Sequence, residues 1–449
     1  MRVLWLTHTP AGASKQLNVN DPGRGWIGSL ETAISNVPGI ELGVCFFSDQ
    51  KGGKFMQNSV AYYPMAFKYS SRSGKIYQRL TGALYDSNTK GIREAIADFK
   101  PDVIHLFGTE SGVGEVVHLT DIPVVVHIQG LVNPYLYAWL PKGISQSGIA
   151  KASSLRAKLF RRGLYFEYPL FKKRADRETE IISKAKYFFG RTSWDHNYLK
   201  LCKSSFNYFH CEEVLRPLFY QVRWQRQVSQ VFKITTIINP QIYKGLEMVL
   251  AAAKLLKDSK KLAFEWNIIG MDRSHELVSI VENLLKDRFA DYNVIFKGAK
   301  SGEDLITNLQ SSNLFVHPSH IDNSPNSVCE AMIIGMPVLA GFVGGIPSLI
   351  QDQETGILYN SNDPYELAYK ILAASENPDL LEKISEKARK TALERHRVEN
   401  IVDTVYSTYK LVIEKEKVKY EQHGQQNDSS GHSNLQPSGS DQKRVAVHQ

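Results

Sequence analysis

Cysteine is scarce in this chain. Four stand in 449 residues, at positions 45, 202, 211 and 329, and no CxxC pair occurs. That scatter excludes a disulfide-stapled scaffold and a zinc ribbon, and it suits a reducing compartment. His210-Cys211, the one close metal-like pair, reads as strand packing. No uninterrupted apolar run reaches the ~18 residues of a membrane-spanning helix. The most apolar stretch, Val328 to Ile350, is broken by Glu330, two prolines and four glycines. The start, Arg2-Val-Leu-Trp-Leu-Thr-His8, lacks the charged-then-apolar layout of a secretion signal, so a cytoplasmic protein is expected. Also missing are a solenoid-type repeat and an Asp-x-Asp pair.

What the chain does have is apolar residues in quantity, 43% against 22% charged, so it can bury two or three cores. The formal charge of +8 is concentrated. Lys151 to Arg174 holds eight basic residues (Lys151, Arg156, Lys158, Arg161, Arg162, Lys172, Lys173, Arg174) against one acid, Glu167. Leucines and aromatics interleave with them, the composition of a helix lying on an anionic membrane surface or of an ordinary solvated basic face. No recognition motif accompanies the charge, so nucleic acid is not expected as a partner.

Strand-like and helix-like segments alternate twice. The first series has strands at Arg2–His8, Glu41–Phe47, Asp102–Phe107, Pro123–Ile128, Tyr187–Arg191 and Tyr208–Leu215. The second runs from Phe232–Ile238 through Glu265–Ile269, Asn293–Lys297, Leu314–His317 and Pro337–Ala340 to Gly356–Tyr359. Strands spaced by helices predict an α/β protein with two doubly wound, Rossmann-like domains facing a cleft. The expected division is residues 1–225, then 226–395, then a helix at 396–418. A polar tail, 419–449, has almost nothing to bury and is expected to be disordered. Lys51 to Lys90, rich in Gly, Ser and Tyr, reads as an extended loop.

The most informative stretch follows the apolar run Asn313-Leu-Phe-Val-His-Pro-Ser319. It is Asp322-Asn323-Ser324-Pro325-Asn326-Ser327-Val-Cys-Glu330, closed by Gly335 and Pro337. Two carboxylates stand eight positions apart across a loop and a helix start. Ser324 suits an N-cap and Pro325 the first helical position, with Gly335 as the stop. A strand end that delivers free helix N–H groups between two acids can grip a phosphorylated, hydroxyl-rich ligand. The alternative is a well-capped helix with one exposed acid.

The segment resembles the carboxylate-x7-carboxylate signature of retaining, two-Rossmann (GT-B) glycosyltransferases, the family 4-like glycosyl transferases group 1. The resemblance implies a metal-independent glycosyltransferase using a nucleotide-sugar donor. Glu330 would hold the ribose hydroxyls, and Asp322, where the family usually has Glu, would lie near the transferring sugar. Asn323, Ser324, Asn326 and Ser327 would line the donor. In Tyr243-Lys244-Gly245 the lysine would meet the diphosphate. The family's arginine five or six positions earlier is missing, and Ile238 and Asn239 stand there, so either Asn239 would supply neutral hydrogen bonds or a base from elsewhere would substitute. Trp266-Asn-Ile-Ile-Gly270 resembles the floor of the nucleotide site, and Phe296-Lys-Gly298 the segment beside the base. Gly23-Arg-Gly25-Trp-Ile-Gly28 spells a dinucleotide motif but begins about fifteen residues after its strand, too late for a pyrophosphate turn. Gly25 and Gly28 fit instead the family's glycine-rich loop facing the donor. In His127-Ile-Gln129-Gly130, Gln129 occupies the place of a family histidine beside the sugar, and His127 lies on the same strand face two residues earlier. Arg191 is an acceptor- or donor-side candidate. His105 reads as a packed strand histidine. The lack of Asp-x-Asp fits a site with no metal. The expected function is transfer to a glycan or glycolipid acceptor in cell-surface polysaccharide synthesis, at the inner membrane face if the basic segment docks there. The competing readings are a nucleotide-sugar epimerase and a non-catalytic binder on the same fold.

Overall fold

The computed structural model describes residues 1–14, 25–49, 53–69, 71–84, 86–161 and 163–430. Gly23, Arg162 and residues 431–449 lie outside these. Two sheets form. The first orders its strands β3-β4-β2-β1-β5-β6-β7-β8: β1 Arg2–Thr7, β2 Glu41–Ser48, β3 Phe55–Gln57, β4 Val60–Ala66, β5 Val103–Phe107, β6 Val124–His127, β7 Tyr187–Gly190 and β8 Asn207–His210. All its pairings are parallel except β3 with β4. The second orders β11-β10-β9-β12-β13-β14 and is parallel throughout. Its strands are β9 Phe232–Ile237, β10 Phe264–Ile269, β11 Val294–Gly298, β12 Leu314–His317, β13 Val338–Gly341 and β14 Ile357–Tyr359. Central strands such as β5 and β12 are buried at every residue, as parallel sheets covered on both faces require. The two-domain α/β architecture expected from the alternating pattern is therefore present.

Three local expectations change. Lys51 to Lys90 contains β3, β4 and a helix, Arg72–Thr81, capped by Ser71 and closed by Gly82 in the left-handed conformation. Val60 and Tyr62 pack in the first core, and Pro64 within the strand and the glycines and serines around it had masked it. β8 stops at His210, and the chain continues to Leu215 without joining a sheet. The last helix, Val398–Ser430, runs past residue 419, where a disordered tail was expected.

That helix crosses back to the first sheet. Ile401, Val405, Tyr409 and Val412, at helical spacing, pack in one core with Val3 and Trp5. Trp5 Nε1 donates to Tyr409 Oη at 3.1 Å, and Tyr187 Oη donates to Glu416 Oε1 at 2.7 Å. Polar side chains also clasp the two halves. Asn323 Nδ2 donates to Asp195 Oδ2 at 3.0 Å and to the Gln129 carbonyl at 3.1 Å, while Thr192 Oγ1 donates to Asn323 Oδ1.

Candidate functional site

In the second sheet β9 lies between β10 and β12, so the order in which strands are laid down reverses between β9 and β12. Ligands of open parallel sheets bind at such a switch point, beyond the carboxyl ends of the strands. Lys244 follows β9 and Asp322 follows β12, one from each side of the switch. The two approach because Gly245 (φ +78°) passes so close to Pro318 that an added Cβ would lie 2.1 Å from its carbonyl oxygen. Lys244 Nζ then reaches Asp322 Oδ2 at 2.6 Å. The same oxygen faces His317 Nε2 at 3.1 Å, and Tyr135 Oη donates to Oδ1 at 3.3 Å.

A cavity of about 380 Å³ opens here. Lys244, His317, Asp322, Asn326, Ser327 and Glu330 line it from the second domain, and Gly25, the residue before the helix Trp26–Ile34, lines it from the first. Asn239 and Gly270 form part of its wall. Gly270 (φ +97°) leaves no room for a side chain, since a Cβ would sit 2.6 Å from the Ile238 carbonyl oxygen. The helix Asn326–Ile334 points its start at the cavity. Its cap differs from expectation: Pro325 is the N-cap and no side chain closes the turn. Ser324 Oγ instead donates to the buried Glu213 at 2.7 Å, a stronger partner than a backbone amide. The first helical N–H groups, at Asn326 and Ser327, are thereby left for a ligand.

The two acids are electrostatically unlike. Burial would raise the Asp322 carboxyl, but the Lys244 ammonium and the His317 hydrogen bond outweigh it and hold the group well below the ordinary range. His317 is lowered, because burial outweighs its bond to Asp322. Glu330 is raised by burial, which the ion pair with Arg216 offsets only in part. That pair is bidentate, with Arg216 Nε and Nη2 each donating to a carboxylate oxygen at 2.6 Å.

The cavity gathers eight of the residues proposed from sequence: Lys244, Asp322, Glu330, Asn326, Ser327, Asn239, Gly25 and Gly270. Six others stand elsewhere. Asn323 and Ser324 are spent on the interdomain clasp and on Glu213. Gly28 is buried within its helix. Gln129 contributes its carbonyl to Asn323, and its Nε2 is buried without a partner. His127 is fully buried, stacked on His105 and facing its Nε2 through Nδ1 at 3.2 Å. Arg191 is buried over the Trp26 ring, 3.7 Å from Glu213.

Sequence reasoning missed Arg216, Lys300, His317 and Tyr135. Arg216 and Lys300 line the cavity as cations beside Lys244. Arg216 lies in the link between the sheets, immediately before Pro217, where no motif marked it. His317 had been read only as the end of an apolar strand. Among the described residues, one group of acids and histidine is close enough to share an ion: Glu212, Glu213 and His396. Arg395 lies 2.8 Å from Glu212 and Arg191 stands by Glu213, so guanidinium groups already meet that charge.

Comparison with known proteins places this arrangement. Residues 229–391, which carry Lys244, Asp322 and Glu330, match the family model Glycosyl transferases group 1. That stretch is similar to the group 1 glycosyltransferases, and the chain has the two-domain GT-B fold. Among curated relatives, the sulfoquinovosyl transferase of Arabidopsis thaliana is 31% identical over 29% of this chain and 29% of its own length. The amylovoran biosynthesis glycosyltransferase of Erwinia amylovora is 26% identical over 36% of this chain and 40% of its own. The chain thus matches about a third of each relative's length. Anabaena HepE, solved in complex with UDP, shares the fold with a TM-score of 0.59 at 14% identity, covering 91% of this chain and 99% of its own.

Proposed function

We propose that this GT-B protein is a retaining glycosyltransferase that binds a nucleotide sugar in the cavity at the β9–β12 switch point. One observation carries the reading: an ammonium, an uncapped helix start and two buried carboxylates converge on that cavity. Glu330 suits the ribose hydroxyls. Lys244, Lys300 and the N–H groups of Asn326 and Ser327 suit the diphosphate, taking the place of a metal ion in stabilising the leaving charge. Asp322, fixed by Lys244, His317 and Tyr135, faces the sugar. The acceptor oxygen bonds to the anomeric carbon on the face the diphosphate leaves. The C–O bond to the diphosphate breaks with its electron pair, and the departing oxygen takes the acceptor's proton. Asn239 offers neutral hydrogen bonds at the reacting end. The amylovoran relative supports an acceptor belonging to a surface polysaccharide or a glycolipid.

The basic segment supports a place at the inner face of a membrane. Arg161 Nη1 donates to the Leu80 carbonyl at 2.9 Å and Lys173 Nζ to the Gly82 carbonyl at 2.6 Å. These bonds bring the helix Arg72–Thr81 beside the helix Leu155–Leu159. Together the two helices expose Leu155 (84%), Leu159 (79%) and Leu80 (64%), with Ile76 and Tyr77. Arg72, Lys75, Arg156, Lys158 and Arg161 rim this apolar face, which suits an anionic bilayer surface. No helix among the described residues is long and apolar enough to cross a membrane. Sedimentation with phosphatidylglycerol vesicles should be lost in Leu155→Asp/Leu159→Asp, and equal binding to pure phosphatidylcholine would refute the docking.

The activity is tested by calorimetry with UDP, ADP and GDP, followed by a nucleotide-sugar hydrolysis screen. UDP, held by the Anabaena protein of the same fold, is the first nucleotide to try. A transferase releases free nucleotide from its donor, and Glu330→Ala and Lys244→Ala abolish that release. A new sugar nucleotide would identify an epimerase. Binding without turnover would identify a binder.

A further inference from the structure

Beside the donor cavity lies a larger one, of about 710 Å³, which shares Asn239 with it. Its builders come from both halves of the chain. Tyr135 and Trp139 precede the helix Gln146–Ala152, and Phe171 and Arg174 sit on the helix Leu164–Lys184. Tyr243 stands directly before Lys244. The rings pack on one another, Trp139 against Phe171 with centroids 4.4 Å apart, Trp139 against Tyr243 at 5.6 Å and Tyr135 against Tyr243 at 5.3 Å. They form a rigid aromatic wall, since Tyr135, Trp139 and Leu164 also belong to the core of the second sheet.

Three polar atoms on residues of this cavity are buried and lack a hydrogen-bond partner: Trp139 Nε1, Arg174 Nε and Glu110 Oε2. Buried donors and acceptors are nearly always satisfied, so a cluster of orphans around one open volume marks a place where a ligand completes the bonding. We propose that this cavity is a saccharide-binding site, the seat of the acceptor's terminal neutral pyranose. This assignment rests on the transferase reading above and names the substrate class at its second site.

The ligand class follows from the wall chemistry. A pyranose presents an apolar C–H face to aromatic rings and a belt of hydroxyls, each both donor and acceptor. Such hydroxyls can accept from Trp139 Nε1 and Arg174 Nε while donating to Glu110. A hydrocarbon chain would leave all three unpaired. An anionic ligand meets two carboxylates, Glu110 and Glu167, against one guanidinium. Position agrees with this class. Tyr135 both lines the cavity and donates to Asp322, so a sugar on the aromatic wall lies beside the carboxylate assigned to the donor sugar.

The test uses the full chain with saturating UDP and reads saturation-transfer NMR of methyl glucopyranoside, methyl galactopyranoside, methyl N-acetylglucosaminide and methyl glucuronide. We expect at least one neutral glycoside to bind through its ring C–H protons. Trp139→Phe, which keeps the ring packing and removes only the N–H, should weaken that binding about tenfold, as should Glu110→Gln. UDP affinity should stay unchanged in both, and circular dichroism reports their folding. If no neutral glycoside binds, if only the glucuronide binds, or if both folded variants bind as the parent does, the assignment is wrong. Saccharide binding without UDP binding would overturn the donor-site reading and with it the acceptor role, leaving only the saccharide site.

Discussion

Asp322 and Glu330 are eight residues apart in one chain segment, both buried, both lining one cavity, yet their carboxyls are shifted in opposite directions. Asp322 is held well below the usual carboxylate range and Glu330 is raised. The difference lies in partners. Asp322 has an ammonium, an imidazole and a phenol around it. Glu330 has one guanidinium and feels the nearby Glu213 carboxylate as well. Burial of a charge is favourable only in proportion to the donors that meet it. The contrast also suits two tasks: a permanently ionised group beside the reacting sugar, and a less heavily bonded carboxylate with capacity left for ribose hydroxyls.

The largest way to break this contrast is to remove its cation. Lys244→Ala should lower turnover about a hundredfold or more, because transition-state charge loses its ammonium, as steady-state kinetics will show. In the unliganded protein the change strands the Asp322 carboxylate, and we expect a loss of about 3 kcal/mol in urea denaturation. Glu330→Ala should weaken nucleotide binding about a hundredfold by calorimetry, since two ribose contacts go at once. A nucleotide affinity equal to the parent's would refute the role given to Glu330.

Stability against pH should show two slopes of opposite sign. Asp322 has a depressed pKa in the folded protein, so its contribution is complete above about pH 4, where an unfolded aspartate titrates, and is lost as pH falls through the folded value. Asp322→Asn should therefore flatten the acid limb of the stability curve. Glu330 has a raised pKa, so its ionisation costs stability as pH climbs from the ordinary glutamate range, about 4.3, through the folded value. Glu330→Gln should remove that decline. Thermal melts in a pH series distinguish the two, and parallel curves for both variants would remove the electrostatic distinction. The smallest effect is expected from Arg216→Lys. A lysine keeps the charge but not the two-pronged geometry, and about 1 kcal/mol should be lost, with the Glu330 carboxyl rising further in an NMR titration.

Much of the cavity at the switch point was legible in the sequence because it sits where strands end. Lys244, Asp322 and Glu330 each follow a recognisable apolar run, and the switch-point rule then brings such positions together. Arg216 was not legible, because it comes from the link between the sheets and meets Glu330 only where that link packs on the second domain beside the helix Asn326–Ile334. The Ser324 cap was misread for a similar reason. A serine before a helix is a local signal, and the distant Glu213 offered it a charged acceptor. His127 and Arg191 read as cleft residues from their strand ends, but Trp26 packs on both and they are buried.

By itself the order of residues determined what depends on short-range periodicity: two parallel sheets, their switch points, and the acids and lysine standing at the ends of β9 and β12. Those features are set within about thirty residues of chain by apolar patterning and glycine placement. Folding in three dimensions decided what depends on distance between remote segments: which cation meets which acid, which N–H groups stay free, and which aromatic rings wall the second cavity. Hydrogen bonds and charge pairs act over a few ångströms. Their partners here are separated by as many as 404 residues, as in Trp5 with Tyr409, and by 187 in Tyr135 with Asp322, so only packing could select them.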